Sequence, residues 1–396
     1  MHETESAQDQ AFRAEVRDWL EGHLSGEFAH ARGLGGPGRE HEAFEIRLSW
    51  ERSLAAAGWT CVGWPKEYGG RGASLEQQVI FHEEYARAAA PARVNHIGEN
   101  LLGPTLIEFG TQEQKDRFLP RIVAVEELWC QGYSEPDAGS DLANVQTRAV
   151  LSDGVWKVTG QKVWTSLAVE SDWCFVLCRT EPGSRRHRGL SFLLVPMRQD
   201  GVEVRPIVQP TGTSEFNEVF FDGAATPHIV GEPGDGWKIA MALLGYERGL
   251  STLGQQIGFR RELLGVIELA RSTGAIDDPL IRDRLTRSWM GLEIMRLNAT
   301  RTMAGITAGS PGPESSISKL VWGTWHRDLG ELAMDILGPA GMVADGPPYD
   351  LSDWQRLFLF SRADTIYAGS NEIQRNVIAE RVLGLPREAR GVEVSP

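Results

Sequence analysis

Apolar residues recur at helical spacing over the first third of the chain. Phe12, Val16, Trp19, Leu20 and Leu24 form one stripe. Thr111 with Gln114 forms a capping box ahead of QKDRFLPRIV. The glycine-rich stretch ARGLGGPGRE predicts a loop between the first two helices. From residue 126 to 232 the pattern changes to short β segments. VWKVTG and QKVWTS are expected to form a hairpin hinged near Gly160, followed by WCFVLCRT, LSFLLVPM, GVEVRPI and NEVFFDG. Their close spacing predicts a small barrel or sandwich. From Gly236 long helical patterns return, in WKIAMALLGYERGL, RDRLTRSWMGLEIMRLNATRTM, KLVWGTWHRDLGELAMDIL and NEIQRNVIAERVL. Helices, then strands, then helices predict an α+β chain with domains at 1–125, 126–232 and 233–396. No GxGxxG follows a strand, so a Rossmann nucleotide site is not expected.

Composition narrows the picture. With 41% hydrophobic and 24% charged residues, the chain reads as an ordinary globular protein. A net charge of −14 argues against nucleic acid or an anionic membrane as partner, while leaving room for a local basic patch. The start, MHETESAQDQAF, lacks the apolar core of a signal peptide, and no apolar run is long enough for a bilayer, so a cytoplasmic location is expected. The four cysteines suggest no disulfide framework. Cys174 and Cys178, in WCFVLC, are expected to act as small hydrophobes in a buried strand.

Three stretches hold candidate chemistry. In WCQGYSEPDAGSD, residues 129–141, a strand should run into a loop dense in hydroxyls and amide donors, suited to a polar ring edge or a phosphate. A structural turn would equally explain Pro136, Asp137 and Gly139. GQKVWTS places Trp164 beside Thr165 and Ser166, a combination that can stack on a flat cofactor and hydrogen-bond its rim, although Trp164 taken alone also reads as core. In MALLGYERGLSTLG, Glu247 shares a helical face with Leu243, Leu244 and Leu250, where a charge is unusual unless paired or at work. The residues themselves leave open an intrahelical ion pair or a carboxylate reaching solvent. HEE at 82–84 is expected to be a solvated helix face, and no metal site is expected. RRHRG at 185–189 reads as a solvated turn, with a phosphate of a ligand as the alternative partner.

Together with FFDGAATP and IYAGSNEIQRNVIAERVLG, these segments resemble the acyl-CoA dehydrogenase family of flavoenzymes over nearly the whole chain. The resemblance implies a helical N-terminal domain, a central β domain and a C-terminal four-helix bundle. It places FAD between the β domain and the bundle, with its tail reaching into a neighbouring subunit. By position, Gln131, Tyr133 and Ser134 would line the flavin pyrimidine and Trp164 would pack against the ring system. Ser166 would reach the N5 and O4 region with Thr165 adjacent. Gly139 lies in the same cofactor loop, and Ser140 would meet both flavin and the pantetheine arm of a CoA thioester. Ser370 and Glu372 match positions at the adenosine half of the cofactor, where a helix N-terminus suits phosphate. For the basic loop at 185–189 a solvated turn stays the first reading, with the 3′-phospho-ADP of CoA as the alternative partner.

The implied reaction is α,β-dehydrogenation of an acyl-CoA, with electrons passed to an electron-transfer flavoprotein. Many members carry the base immediately before the glycine of the C-terminal motif; here IYAGS has Ala368 there, followed by Gly369. A subset supplies its glutamate from the preceding helix, and Glu247 falls at that position, with Tyr246 lining substrate and Arg248 supporting the catalytic loops. The backbone N–H of Ala368 would still donate to the thioester oxygen. Two motifs that serve a neighbour's FAD are altered: RSTG keeps Arg271 but lacks a phenylalanine, and DILGP has Asp335 and Pro339 in place of a glutamine and a glycine. An aspartate repels a pyrophosphate and proline removes a donor. This favours assembly with a related, non-identical subunit over a homodimer or homotetramer. An oxidase or monooxygenase on the same scaffold, and a non-catalytic partner subunit, stand as alternatives.

Overall fold

A computed structural model of the chain describes residues 5–246, 251–307, 316–346 and 349–387. It falls into two compact units, 1–254 and 255–396.

In the first unit, five α-helices precede the sheet: α1 (Ala7–His23), α2 (Phe44–Ala56), α3 (Leu75–Arg87), α4 (Gly103–Phe109) and α5 (Gln112–Val123). The stripe on α1 is buried at Phe12, Val16 and Leu20, joined by Leu24, and packs with Trp50, Leu54 and Phe81. The Thr111–Gln114 capping box is formed in both directions. Glu84 departs from expectation. It is buried, and Arg13, Arg17 and Arg87 converge on its carboxylate. Burial alone would raise its pKa, but the arginines hold it below the usual range. A solvated face at HEE is therefore wrong at Glu84, because α1 supplies cations that no local pattern on α3 announces.

The strands are β1 (Trp129–Gly132), β2 (Arg148–Ser152), β3 (Val155–Ser166), β4 (Trp173–Arg179), β5 (Leu190–Pro196), β6 (Val202–Ile207), β7 (Phe216–Thr226) and β8 (Ile229–Val230). They form one sheet in the order β6-β7-β3-β2-β4-β5-β8, with β1 parallel to β4. The expected hairpin at Gly160 is not there. VWKVTGQKVWTS is a single strand, and the hairpin joins β2 to β3 across Asp153 and Gly154, both at positive φ. Gly160 serves another purpose. It sits at φ 154°, and a Cβ there would lie 2.4 Å from Thr147 Oγ1 and 2.7 Å from Thr147 Cα, so the glycine admits a close crossing of backbone.

Both faces of β4 are covered, which is why WCFVLC carries no alternation. Phe175 and Leu177 pack towards Leu106 and Phe118 of the helices, whereas Cys174, Val176 and Cys178 pack with Val158, Leu193, Val195 and Val219. The four cysteines are buried and free, as small hydrophobes. The unit also contains α6 (Gly236–Tyr246), whose Ile239, Ala240 and Leu243 join the same core as α4 and α5.

The second unit is helical. Its elements are α7 (Ser251–Thr273), α8 (Pro279–Thr307), α9 (Ser318–Leu337), α10 (Asp353–Phe360) and α11 (Asn371–Val377). Trp325, Leu329, Leu332 and Ile336 recur along one face of α9 and pack with Phe259, Leu263, Leu285, Leu292 and Leu357. The short α10 escapes the long-period pattern, but its Ser352–Gln355 capping box marks its start. Among the described residues, no helix is long and apolar enough to cross a membrane.

Candidate active site

In the first unit, β1 delivers the SEP loop and β3 delivers the VWTS segment to neighbouring places. The Val163 N–H donates to Ser134 O at 2.9 Å, stitching loop to strand. Beneath that stitch lies Lys162, buried, donating to Tyr133 O at 2.9 Å, Glu135 Oε1 at 2.8 Å and Leu177 O at 2.7 Å. Three acceptors around one nitrogen require the three donors of an ammonium. The Glu135 carboxylate also accepts the N–H groups of Gln146 (2.5 Å) and Thr147 (2.9 Å). Burial opposes its charge, but Lys162 and these N–H donors hold its pKa below the ordinary carboxylate range. Burial likewise pushes the Lys162 pKa down, against the pull of Glu135. Neither residue stands out in the sequence. The available signal was one ionisable side chain inside each of the two motifs, Glu135 in YSEP and Lys162 in GQKVWTS.

Between Lys162 and Thr165 the register against β7 slips by one residue, from Lys162↔Val219 to Thr165↔Asn217. This β-bulge contains Trp164 at φ 62°. A left-handed aromatic residue is strained, and a bulge next to a binding site commonly re-aims a side chain. The Trp164 ring is 58% exposed and meets Phe216 edge-on at 6.2 Å. Ser166, two residues on, is half-buried, while Thr165 between them is buried. Thr165 thus points away from Trp164. Its carbonyl accepts Asn217 Nδ2 at 2.9 Å. Its Oγ1 finds no partner among the described residues.

The other predicted positions of this unit are reported in turn. Gln131 and Ser134 are half-buried, and Gly139 and Ser140 are exposed on the loop. The Tyr133 ring is committed to the core, edge-on to Phe175 at 5.8 Å and to Phe192 at 6.3 Å. Tyr246 ends α6 and donates its hydroxyl to Glu108 of the neighbouring α4, and burial together with that carboxylate raises its pKa. Glu247 and Arg248 lie outside the described residues. The basic loop at 185–189 is organised by Arg179, which donates to the carbonyls of Arg186 (3.2 Å) and Arg188 (3.0 Å), leaving the side chains of Arg185, Arg186 and Arg188 exposed.

In the second unit, Ala368 and Gly369 both sit at positive φ, 51° and 86°. The Gln374 side-chain amide donates to Ala368 O at 3.2 Å, closing the turn from the α11 side. Ser370 caps α11 by accepting the Ile373 N–H, and Glu372 stands exposed in the first turn, where that helix end and Ser370 lower its pKa. Asp335 is not a bare negative charge: Arg284 Nη1 lies 2.5 Å from Asp335 Oδ2. Arg271 pairs with Glu268 at 3.3 Å.

The donor set of the first unit fits an isoalloxazine. An exposed aromatic face, a hydroxyl on the same side of the strand and a stitched loop of amides and hydroxyls offer stacking and rim hydrogen bonds together. Three family models cover the chain: acyl-CoA dehydrogenase N-terminal domain at residues 6–126, middle domain at 130–224 and C-terminal domain at 234–383. Acyl-CoA dehydrogenase IpdE1 of Mycobacterium tuberculosis is 65% identical over 96% of this chain and 98% of its own length. A solved structure described as the Tcur3481-Tcur3483 steroid ACAD is 31% identical with a TM-score of 0.83, covering 98% of this chain and 100% of that one. The ChsE4-ChsE5 complex of M. tuberculosis gives 30% identity and a TM-score of 0.81, with 98% and 100% covered.

Proposed function

Because the chain belongs to the acyl-CoA dehydrogenase family of oxidoreductases acting on acyl-CoA, we propose that it catalyses α,β-dehydrogenation of an acyl-CoA thioester with Glu247 as the base. The observation that carries this reading is Ala368. The C-terminal turn has no carboxylate, so the base must come from elsewhere, and Glu247 is the glutamate at the family's other position.

An α-proton next to a thioester is a very weak acid, so removal requires a carboxylate held out of water and donors on the carbonyl oxygen. Glu247 takes the α-proton. The Ala368 N–H donates to the thioester oxygen, where negative charge develops, and Gly369 keeps that turn open. FAD, when bound, supplies the acceptor for the β-hydrogen leaving as hydride. When FAD is bound, Trp164 would stack on the flavin, Ser166 and Ser134 would hydrogen-bond its edge, and Gln131 and the backbone around Tyr133 would line its pyrimidine side. Gly139 and Ser140 would form the cofactor loop, with Ser140 also reaching the thioester arm, while Ser370 and Glu372 would meet the adenosine half. Thr165, between Trp164 and Ser166 in sequence, would lie adjacent to the cofactor, with its side chain on the buried face of the strand. Tyr246 lines the acyl group, with Arg248 beside the base. The partner that completes turnover is an electron-transfer flavoprotein.

Two extensions draw on the relatives. The acyl group is bulky and ring-bearing, supported by the description of the Tcur3481-Tcur3483 complex as a steroid ACAD. The chain assembles with a related subunit, supported by that complex, by the ChsE4-ChsE5 complex and by Pro339, which removes a backbone donor from the motif that serves a neighbour's cofactor; the charge of Asp335 is met by Arg284 and adds no support.

The test is exchange of substrate α-protons with deuterated water. Glu247→Gln should abolish it while leaving bound flavin unchanged, and surviving exchange would sink the assignment. Rapid oxygen consumption without another acceptor would instead favour an oxidase. Visible absorption of the chain purified alone reads the assembly: one flavin per chain argues for complete sites without a partner, and a colourless protein argues for the heteromer.

A further inference from the structure

An ionic array centred on the buried His326 and Asp364, with the half-exposed Glu262 at its outer end, stands behind the Ala368 turn, and no step described above uses it. His326 of α9 has a carboxylate at each ring nitrogen: Asp364 Oδ2 lies 2.5 Å from Nδ1 and Glu262 Oε2 of α7 lies 2.8 Å from Nε2. Both nitrogens must then donate, which only the imidazolium can do. Burial works against that charge, but the two carboxylates raise the His326 pKa to about 10. Phe259 covers the ring at 4.6 Å.

Asp364 relays this arrangement to the turn. Its second carboxylate oxygen accepts the Tyr367 hydroxyl, and its carbonyl accepts the Lys319 ammonium. Gly323 of α9 permits the approach, since a Cβ there would lie 2.7 Å from Asp364 O. The Tyr367 N–H bonds Ala363 O at 3.0 Å, so the tyrosine is held at both ends. The next residue is Ala368, at φ 51° without the benefit of being glycine. A left-handed alanine is strained and persists only where its surroundings over-determine it. On one side Gln374 closes the turn; on the other stands the chain His326–Asp364–Tyr367.

We propose that His326 is a positioning residue for the thioester carbonyl: doubly paired to Glu262 and Asp364, it fixes Tyr367 and thereby the left-handed Ala368–Gly369 turn whose N–H polarises that carbonyl. The inference rests on the assignment of the Ala368 N–H to the thioester oxygen. A carboxylate at position 368 would add its own anchor, whereas this chain has only backbone there and depends on what stands behind it.

The experiment is difference infrared spectroscopy of [1-13C]cinnamoyl-CoA, a ring-bearing enoyl thioester, bound at saturation to the flavin-loaded enzyme, with the dissociation constant measured alongside. In the wild type the carbonyl stretch should fall on binding. In His326→Gln it should move back towards the free thioester, with the dissociation constant changed less than threefold and faster amide exchange at residues 368–370. Tyr367→Phe should shift it the same way by less, and it decides alone if His326→Gln does not fold. Both variants retaining the wild-type stretch would overturn the inference while leaving the Ala368 assignment standing. No shift in the wild type would overturn that assignment and the inference with it.

Discussion

Lys162 and Glu135 meet at 2.8 Å, both buried, one on β3 and the other in the loop that follows β1. The pair is the underside of the proposed flavin platform. The residues on either side of Lys162 and Glu135 in sequence, Trp164 and Ser166 above and Ser134 beside, are those assigned to the cofactor. Because Lys162 also binds the carbonyls of Tyr133 and Leu177, its loss would leave three acceptors buried together.

Lys162→Met should therefore lower stability by about 3–5 kcal/mol, since removing one partner strands a buried charge. Lys162→Met combined with Glu135→Gln should recover part of that loss. Urea denaturation of the wild type and the two variants checks both statements, and equal losses in the single and double variants would count against the coupling.

Trp164→Gly separates binding from folding. The ring is mostly exposed and its φ of 62° suits glycine, so the unfolding free energy should change by no more than about 0.5 kcal/mol. Flavin affinity should fall about tenfold as the stacking surface is removed. Flavin titration of the apoprotein reads the second effect and thermal unfolding the first.

Gly160→Ala should be poorly tolerated although it is mid-strand. The added methyl meets backbone atoms of Thr147 that cannot rotate away, and the φ of 154° disfavours an L-residue. A loss of about 1–3 kcal/mol is expected. Gly183→Ala, where nothing lies within 4 Å of a Cβ, controls for space; φ is positive at both positions.

His326 gives the second unit a pH dependence. Its folded pKa, about 10, lies above the ordinary histidine value of 6.5. The stabilisation is thus complete below pH 6.5 and is lost as pH rises towards 10. The groups facing the ring are Glu262 from α7 and Asp364, with Lys319 and Tyr367 bonded to Asp364 in turn. Melting temperature should decline across that alkaline window in the wild type and decline less in His326→Gln.

The exposed arginines at 185, 186 and 188 predict a salt-sensitive contact with the phosphates of CoA. Replacing Arg185 and Arg186 with Gln should weaken CoA binding a few-fold at low salt and make little difference at 1 M salt, where the screening length is about 3 Å. Isothermal titration with CoA at the two salt concentrations checks it.

Much of this protein was written in local pattern. The α1 stripe, the Thr111 capping box, the doubly buried β4 and the one-sided apolar spacing of α9 are properties of near neighbours in sequence, so periodicity finds them. The motifs proposed for the site could be picked out for a similar reason: Trp164, Ser166, Ser134 and Ala368 lie in short contiguous runs. The hairpin was misplaced because Gly160 was read as a turn, when the Asp153–Gly154 pair held the turn and Gly160 made room for Thr147. A glycine's local signature is the same in both roles, and only the approach of a distant segment tells them apart.

What the tertiary structure alone decided is pairing between distant charges. Glu84 with the arginines of α1, Glu135 with Lys162, and His326 with Glu262 and Asp364 each join residues tens of positions apart. A single ionisable side chain reads as solvated until its partner is known, because burial of a charge is tolerated only when the opposite charge or enough donors arrive with it. Sequence determined which residues carry charge and which faces are apolar. The fold determined which charges meet, and with them which turns are held rigid enough to serve a reaction.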